Sequence, residues 1–179
     1  MPNSILGLPA HPLIVHAVVV LVPLAALLGG ASAVSTRFRH WARYATPVVS
    51  LVALAMVPLA SETGEGLERS VPHSALVEQH AELADSLLPL TVGVTAVALV
   101  QWWLHRRSLV VGDPPAGEGT GRGSSRQRTL SAAVAVVALL VSVGTLVQVG
   151  RIGHSGAKAV WSDVKVSGGG ADESGASRP

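Results

Sequence analysis

The sequence predicts an all-α integral membrane protein, a four-helix bundle with both termini on the extracytoplasmic side. Of its 179 residues, 49% are apolar and only 13% are charged. That balance is too apolar for a disordered chain and too poor in charge for an ordinary soluble domain. Four long runs contain no charged residue, and crossing a bilayer takes roughly 20 apolar residues. Lys and Arg are also distributed unevenly among the segments that join those runs.

The predicted spans cover about residues 13–34, 44–61, 86–104 and 129–150. The first is apolar except for His16 and Ser32. A signal peptide is the alternative for this segment, but no Lys or Arg precedes it and the apolar run exceeds the usual length of such signals. The second span is the shortest and contains Pro47 and Pro58, so we expect it to be tilted or kinked. Before the third span, Ser74 is placed to cap a short helix.

Basic residues set the predicted orientation. Eight arginines lie in the two segments that join spans one and two, and spans three and four: Arg37, Arg39, Arg43, Arg106, Arg107, Arg122, Arg126 and Arg128. An excess of Lys and Arg marks the cytoplasmic side, so both termini are predicted outside. The membrane domain is predicted over residues 1–166. Residues 112–128 are predicted to be a flexible cytoplasmic linker and 167–179 a disordered tail, because both are rich in Gly and Ser.

Several classes of function are excluded or disfavoured. The chain has no cysteine, which excludes disulfides, thiolate zinc sites, iron–sulfur ligation and covalently attached haem within this chain. It contains no nucleophile elbow, HExxH motif or phosphate loop, so a role other than catalysis is favoured. The net charge of +2 gives no basic field that would indicate nucleic acid as a partner.

Histidines collect at the predicted outer end. Five lie at or near that face, namely His11, His16, His73, His80 and His154, whereas His40 and His105 lie beside arginines on the inner face. With their neighbouring Trp residues, the inner two are interpreted as interfacial anchors. His16 falls about one turn inside the first span, where an ionisable side chain is a functional candidate by default. The alternative is a neutral imidazole that hydrogen-bonds to a neighbouring helix.

Other polar residues follow helical spacing. In the fourth span, polar residues recur every third position at Ser142, Thr145, Gln148 and Arg151, and such a stripe must face protein and not lipid. Two acidic trios, Glu62, Glu65 and Glu68, and Glu78, Glu82 and Asp85, would each share one helix face. A face of this kind is either a binding surface or simply solvated.

Three segments together resemble a known family. They are LPAHPLIVH at 8–16, EQHAELAD at 78–85 and RIGHSGAKAVW at 151–161, and they are similar to the bacterial four-span membrane proteins of domain-of-unknown-function family 2231. The chain departs from the family pattern at Ala17-Val18-Val19, and at Ala157 and Trp161, where relatives have a second Gly and a Tyr. The resemblance implies a four-span fold in a bacterial plasma membrane. Because some relatives are fused to Rieske-type or c-type cytochrome modules, it also implies a redox setting.

The first functional hypothesis is haem b binding in a redox-associated membrane subunit. Imidazoles on facing helices can supply both axial nitrogens of a haem iron. We expect His16 with His80 or His154 as ligands, and Arg151 as the partner of a propionate. A redox partner protein or a second copy of the chain would then be a partner in addition to the lipid bilayer.

Two alternatives remain open. The outer end is a candidate site for a divalent cation or for proton handling, with His11, His16, Glu65, His80 and His154 as the expected ligands. The other alternative is a non-catalytic membrane scaffold in which the histidines serve only structural hydrogen bonds.

Overall fold

The computed structural model describes residues 4–5, 8–69, 74–111 and 121–161. Its elements are β1 (Ser4–Ile5), β2 (Leu8–Pro9), α1 (Ala10–Val34), α2 (Thr36–Trp41), α3 (Ala45–Glu68), α4 (Ala75–Asp85), α5 (Leu87–Val111) and α6 (Gly121–Trp161). The two strands pair antiparallel as a minimal hairpin ahead of α1. All other elements are helical, which confirms the predicted all-α class.

Four segments of the described chain are long and apolar enough to cross a membrane: His11–Val34, Ala45–Glu68, Ala75–Arg107 and Arg128–Trp161. The third combines α4 and α5, which are separated only at Ser86. All four segments extend beyond the predicted spans at one end of the bundle or the other. Two features explain this extension. Amphipathic sequence continues each helix beyond its apolar run, and adding a turn to an existing helix avoids the free-energy cost of nucleating a new one.

Helix starts follow the local chemistry. Ser74 caps α4 as predicted, since its side chain accepts a hydrogen bond from the Val77 amide at 3.3 Å. Ser35 caps α2 in the same way through the Phe38 amide, at 3.2 Å. Pro89 lies in the first turn of α5, where a missing amide proton removes no helical bond. The break that separates α4 from α5 therefore comes three residues before this proline.

The helices form a ring in which α1 packs against α3 and α6, and α5 packs against the same two helices. Small and β-branched residues dominate the core between them: Val18, Val22, Ala25, Ala26, Ala53, Val57, Leu87 and Val94. Small side chains let membrane helices approach closely. Larger apolar residues, such as Leu13, Leu27 and Leu140, are exposed on the outside of the ring, where the bilayer provides their apolar surroundings.

Charge separates the two ends of the bundle. We call one the histidine end. The helices α1, α4 and α5 begin towards this end, and α3 and α6 end there. Its described histidines are His11, His16, His80 and His154. The basic end, opposite, contains six arginines whose side chains the structure describes, Arg37, Arg39, Arg43, Arg106, Arg107 and Arg128, together with His40 and His105. Every Asp and Glu among the described residues lies at the histidine end.

The structure corrects one predicted boundary. Residues 121–128, predicted as the end of the flexible linker, form the first turns of α6. Their Ser, Gln and Arg residues are compatible with a helix, and the apolar segment that follows extends it backwards. Residues 112–120 and the predicted tail at 167–179 lie outside the described residues.

Candidate functional site

His11 connects the first two long helices at the histidine end. Its Nδ1 lies 3.3 Å from the hydroxyl oxygen of Thr63, which belongs to α3. The Thr63 hydroxyl already donates to its own helix, with carbonyl oxygens of Leu59 at 2.9 Å and Ala60 at 3.1 Å. A hydroxyl has only one proton to donate, so Thr63 accepts from His11. The tautomer that completes this bond has its proton on Nδ1 of His11 and a lone pair on Nε2.

His80 repeats the same arrangement between the other two helices of this end. Its Nδ1 lies 3.0 Å from the Ser155 hydroxyl oxygen on α6. Ser155 donates its proton to the Ile152 carbonyl at 2.9 Å, so it too accepts from the imidazole. The tautomer of His80 that completes this bond likewise has its proton on Nδ1.

A glycine follows the hydroxyl residue at both positions, and each glycine makes room for the ring. A Cβ added to Gly64 would lie 3.1 Å from Cε1 of His11, and one added to Gly156 would lie 3.0 Å from Cε1 of His80. By contrast, a Cβ at Gly153 on the same helix meets nothing within 4 Å. The pairs Thr63-Gly64 and Ser155-Gly156 thus form two matching seats, each of which holds one imidazole by a hydrogen bond and by close packing.

The two seated imidazoles lie at the same end of the bundle and come from different helices. Both side chains are half-buried, and together they tie α1 to α3 and α4 to α6. We call His11 and His80 with their two seats the imidazole pair. Metal-binding histidines commonly donate the other ring N–H to a polar partner, which fixes the tautomer and the ring orientation. The imidazole pair has this arrangement on both of its members.

The remaining predicted site residues lie elsewhere on this end. His16 is exposed, and its Nδ1 bonds to the Pro12 carbonyl of its own helix. His154 and Arg151 are exposed on α6. Glu65 is exposed and forms a 3.5 Å ion pair with Arg69. His11 and His80 are thus half-buried and each is hydrogen-bonded to a neighbouring helix, whereas the predicted ligands His16, His154 and Glu65 are exposed.

No group of three or more His, Asp or Glu side chains that could hold a metal ion occurs in the described part of the chain. The cation site expected from sequence at His11, His16, Glu65, His80 and His154 stays a prediction. His73 lies outside the described residues.

The polar stripe on α6 is bonded to α4, the helix that contains His80. Ser142, Thr145 and Gln148 are buried, as predicted, whereas Arg151 is exposed. Gln148 donates from Nε2 to the Leu83 carbonyl at 3.2 Å and to the Ser86 hydroxyl at 2.6 Å. These bonds hold α6 against the junction of α4 and α5 at Ser86, six residues beyond His80.

Comparison with known proteins settles the family. The sequence profile of a family described as predicted membrane protein (DUF2231) matches residues 7–167. The chain belongs to the DUF2231 family. With its four possible spans, this DUF2231 protein is a multi-pass membrane protein. No curated protein and no solved structure matches it.

Sequence reasoning missed two features of this DUF2231 protein. Thr63 and Ser155 carried no signal by themselves, although a hydroxyl residue followed by Gly near the end of two spans is a pattern that would have indicated them. At the basic end, His40 Nδ1 lies 3.2 Å from His105 Nε2, with the rings edge to face. These two residues had been interpreted only as interfacial anchors, because nothing in the sequence relates positions 65 residues apart.

Proposed function

We propose that this protein binds haem b at its histidine end, with His11 and His80 as the two axial ligands, and that it serves as an electron-carrying membrane subunit. The observation that carries the proposal is the imidazole pair. Two histidines from different helices have Nδ1 bound to a hydroxyl, and each therefore presents Nε2 as its metal-binding nitrogen.

The chemistry of the donor set fits this group. Neutral imidazole nitrogen is a common axial ligand of haem iron, and the chain offers no thiolate as an alternative. A haem held there would supply one-electron transfer through its iron. The protein residues would supply the rest: Thr63 and Ser155 would hold the rings in place by accepting from Nδ1–H.

The proposal changes the ligands expected from sequence. His80 keeps its role, and His11 replaces His16, because His16 is exposed and bonds only along its own helix. His154 is likewise exposed. Arg151 retains its proposed role as the partner of a propionate, since an exposed cation next to the site suits a carboxylate at its edge.

We further propose that the protein lies in a bacterial plasma membrane with the histidine end outside the cytoplasm. The six arginines of the basic end support this orientation through the positive-inside rule. Electrons would then pass to or from a partner protein on the outer face.

The test is a dithionite-reduced minus air-oxidised visible spectrum of protein expressed with ample haem and purified in mild detergent. Wild type should give a sharp alpha band and a shifted Soret band. The substitutions His11→Ala and His80→Ala should each reduce the bound haem at least about tenfold, because each removes an axial ligand. His16→Ala and His154→Ala are matched controls at the same end and should leave the spectrum unchanged.

Two further measurements separate ligation from folding. Free imidazole added to a His80→Gly variant should restore the low-spin spectrum if the side chain acts as a ligand. Size-exclusion profiles should remain those of wild type for all variants that are compared. A flat difference spectrum for wild type, or loss of haem in the two control variants only, would overturn the proposal.

A further inference from the structure

A cleft of about 410 Å³ opens between α2, α5 and α6 at the basic end. Arg39 and Arg107 lie on its polar side, and Leu130, Val134 and Ala135 of α6 form an apolar wall. Neither the imidazole pair nor the proposed electron transfer uses this cleft. Its combination of guanidinium groups and an apolar wall indicates a ligand that is anionic at one end and apolar along its length.

The arginines of the cleft lack carboxylate partners within the described residues. Among the described residues, the single ion pair joins Arg69 to Glu65 at the histidine end. All described Asp and Glu residues lie at that end as well. The cleft therefore has a positive potential that no described side chain neutralises. An anion would be attracted to it, and attraction is strongest where low-dielectric surroundings limit screening.

Both arginines are held in place. Arg39 donates from Nε to the Ser32 carbonyl at 2.7 Å and from Nη2 to the Ala33 carbonyl at 3.3 Å, at the end of α1. The Arg107 guanidinium lies 3.6 Å from the centre of the Trp103 ring, which also lines the cleft. Trp with a basic neighbour is typical of the membrane interface, so we expect the cleft to lie at the depth of lipid headgroups.

Gln101 provides an independent observation. It lines the cleft and is only 5% exposed. Its Nε2 donates to the Gly29 carbonyl at 3.4 Å, whereas its buried Oε1 has no hydrogen-bond partner among the described residues. A buried carbonyl oxygen without a donor is costly. A hydroxyl group or a water could donate the missing hydrogen bond to this oxygen. An adjoining cavity of about 10 Å³ at Gln101 has room for about one water.

We propose that this cleft binds one anionic phospholipid whose headgroup contains hydroxyl groups, such as phosphatidylglycerol. The phosphate would lie between Arg39 and Arg107, a headgroup hydroxyl would donate towards Gln101, directly or through a water, and an acyl chain would run along Leu130 and Val134. Basic pockets between membrane helices bind anionic lipid headgroups in this manner. The apolar wall favours a lipid over a free phosphate, which would leave that surface unused.

The experiment is native mass spectrometry of the full chain in neutral detergent, titrated with dioleoyl phosphatidylglycerol or, separately, with dioleoyl phosphatidylcholine. Arg107→Gln should weaken phosphatidylglycerol binding about fivefold, in line with the loss of one basic contact. Arg106→Gln is the matched control, since the same charge is removed from the adjacent residue, which stacks on Trp102 and does not line the cleft. Ser131→Phe, which fills the cleft from α6 without a change of charge, should also weaken binding.

The outcomes are distinct. Preference for phosphatidylglycerol, with selective losses in Arg107→Gln and Ser131→Phe, supports the site. Equal binding of both lipids, or equal losses in Arg106→Gln and Arg107→Gln, would contradict it. Displacement of the lipid by inorganic phosphate, together with normal binding in Ser131→Phe, would identify a phosphate site and overturn the lipid proposal.

Discussion

The two ends of the bundle use the same polar residue types in opposite ways. At the histidine end, each imidazole of the pair bonds to a hydroxyl on another helix through Nδ1. At the basic end, His40 and His105 bond to each other, and the arginines contact backbone carbonyls and aromatic rings. Histidines at both ends thus have polar partners, but only those of the imidazole pair are bonded to hydroxyl groups of other helices.

The largest stability effect should distinguish the two buried glutamines. Gln148 donates to both Leu83 and Ser86, so Gln148→Leu should lower the free energy of unfolding by roughly 1–2 kcal/mol. Gln101 makes one long bond and keeps an unpartnered oxygen among the described residues. Gln101→Leu should therefore cost less than about 0.5 kcal/mol when unfolding is measured in lipid-free neutral detergent. Equal losses of unfolding free energy at the two positions would contradict this difference in hydrogen bonding between the two glutamines.

The next effect tests the seats of the imidazole pair. Gly156→Ala places a Cβ 3.0 Å from the His80 ring, whereas Gly153→Ala meets nothing within 4 Å. Alanine favours a helix over glycine by about 1 kcal/mol, so Gly153→Ala should raise the unfolding midpoint. At Gly156 the crowding of His80 should cancel that gain or reverse it. The two variants can be compared by thermal unfolding; a matching rise for both would contradict close packing of the seat.

The smallest effect is expected at Glu65. Its side chain and that of its partner Arg69 are 67% and 79% exposed, and the pair spans one helical turn. Exposed pairs of this kind contribute little, so Glu65→Gln should change the free energy of unfolding by less than about 0.5 kcal/mol. It should also leave haem and metal content unchanged. A clear loss of bound metal in this variant would instead favour the cation site that the sequence suggested.

The sequence was sufficient for the fold because membrane insertion follows from composition. Four charge-free runs, the Ser74 cap and the spacing of Ser142, Thr145 and Gln148 each predict a local feature that the structure confirms. These features depend on a single helix and on the contrast between lipid and protein. The helices themselves extend further than the apolar runs, since helix propagation continues into polar sequence.

The site was less accessible from the sequence because it depends on contacts between helices. His16 lies inside a span and so attracts attention, yet the rotation of α1 turns it outwards, five positions along from His11. Whether a histidine faces a neighbour depends on helix packing, which periodicity alone does not give. The seats at Thr63 and Ser155 lie 52 and 75 residues from their histidines, and no local pattern connects such distant positions.

The most direct test of haem ligation by His11 and His80 is the electron paramagnetic resonance spectrum of the ferric, haem-loaded protein. If His11 and His80 both ligate the iron, wild type should give the low-spin signal of two imidazole ligands, and His16→Ala and His154→Ala should preserve it. His11→Ala and His80→Ala should each give a high-spin signal or lose haem altogether. A high-spin signal for wild type, or a low-spin signal that survives both substitutions in the imidazole pair, would contradict ligation of the haem iron by His11 and His80.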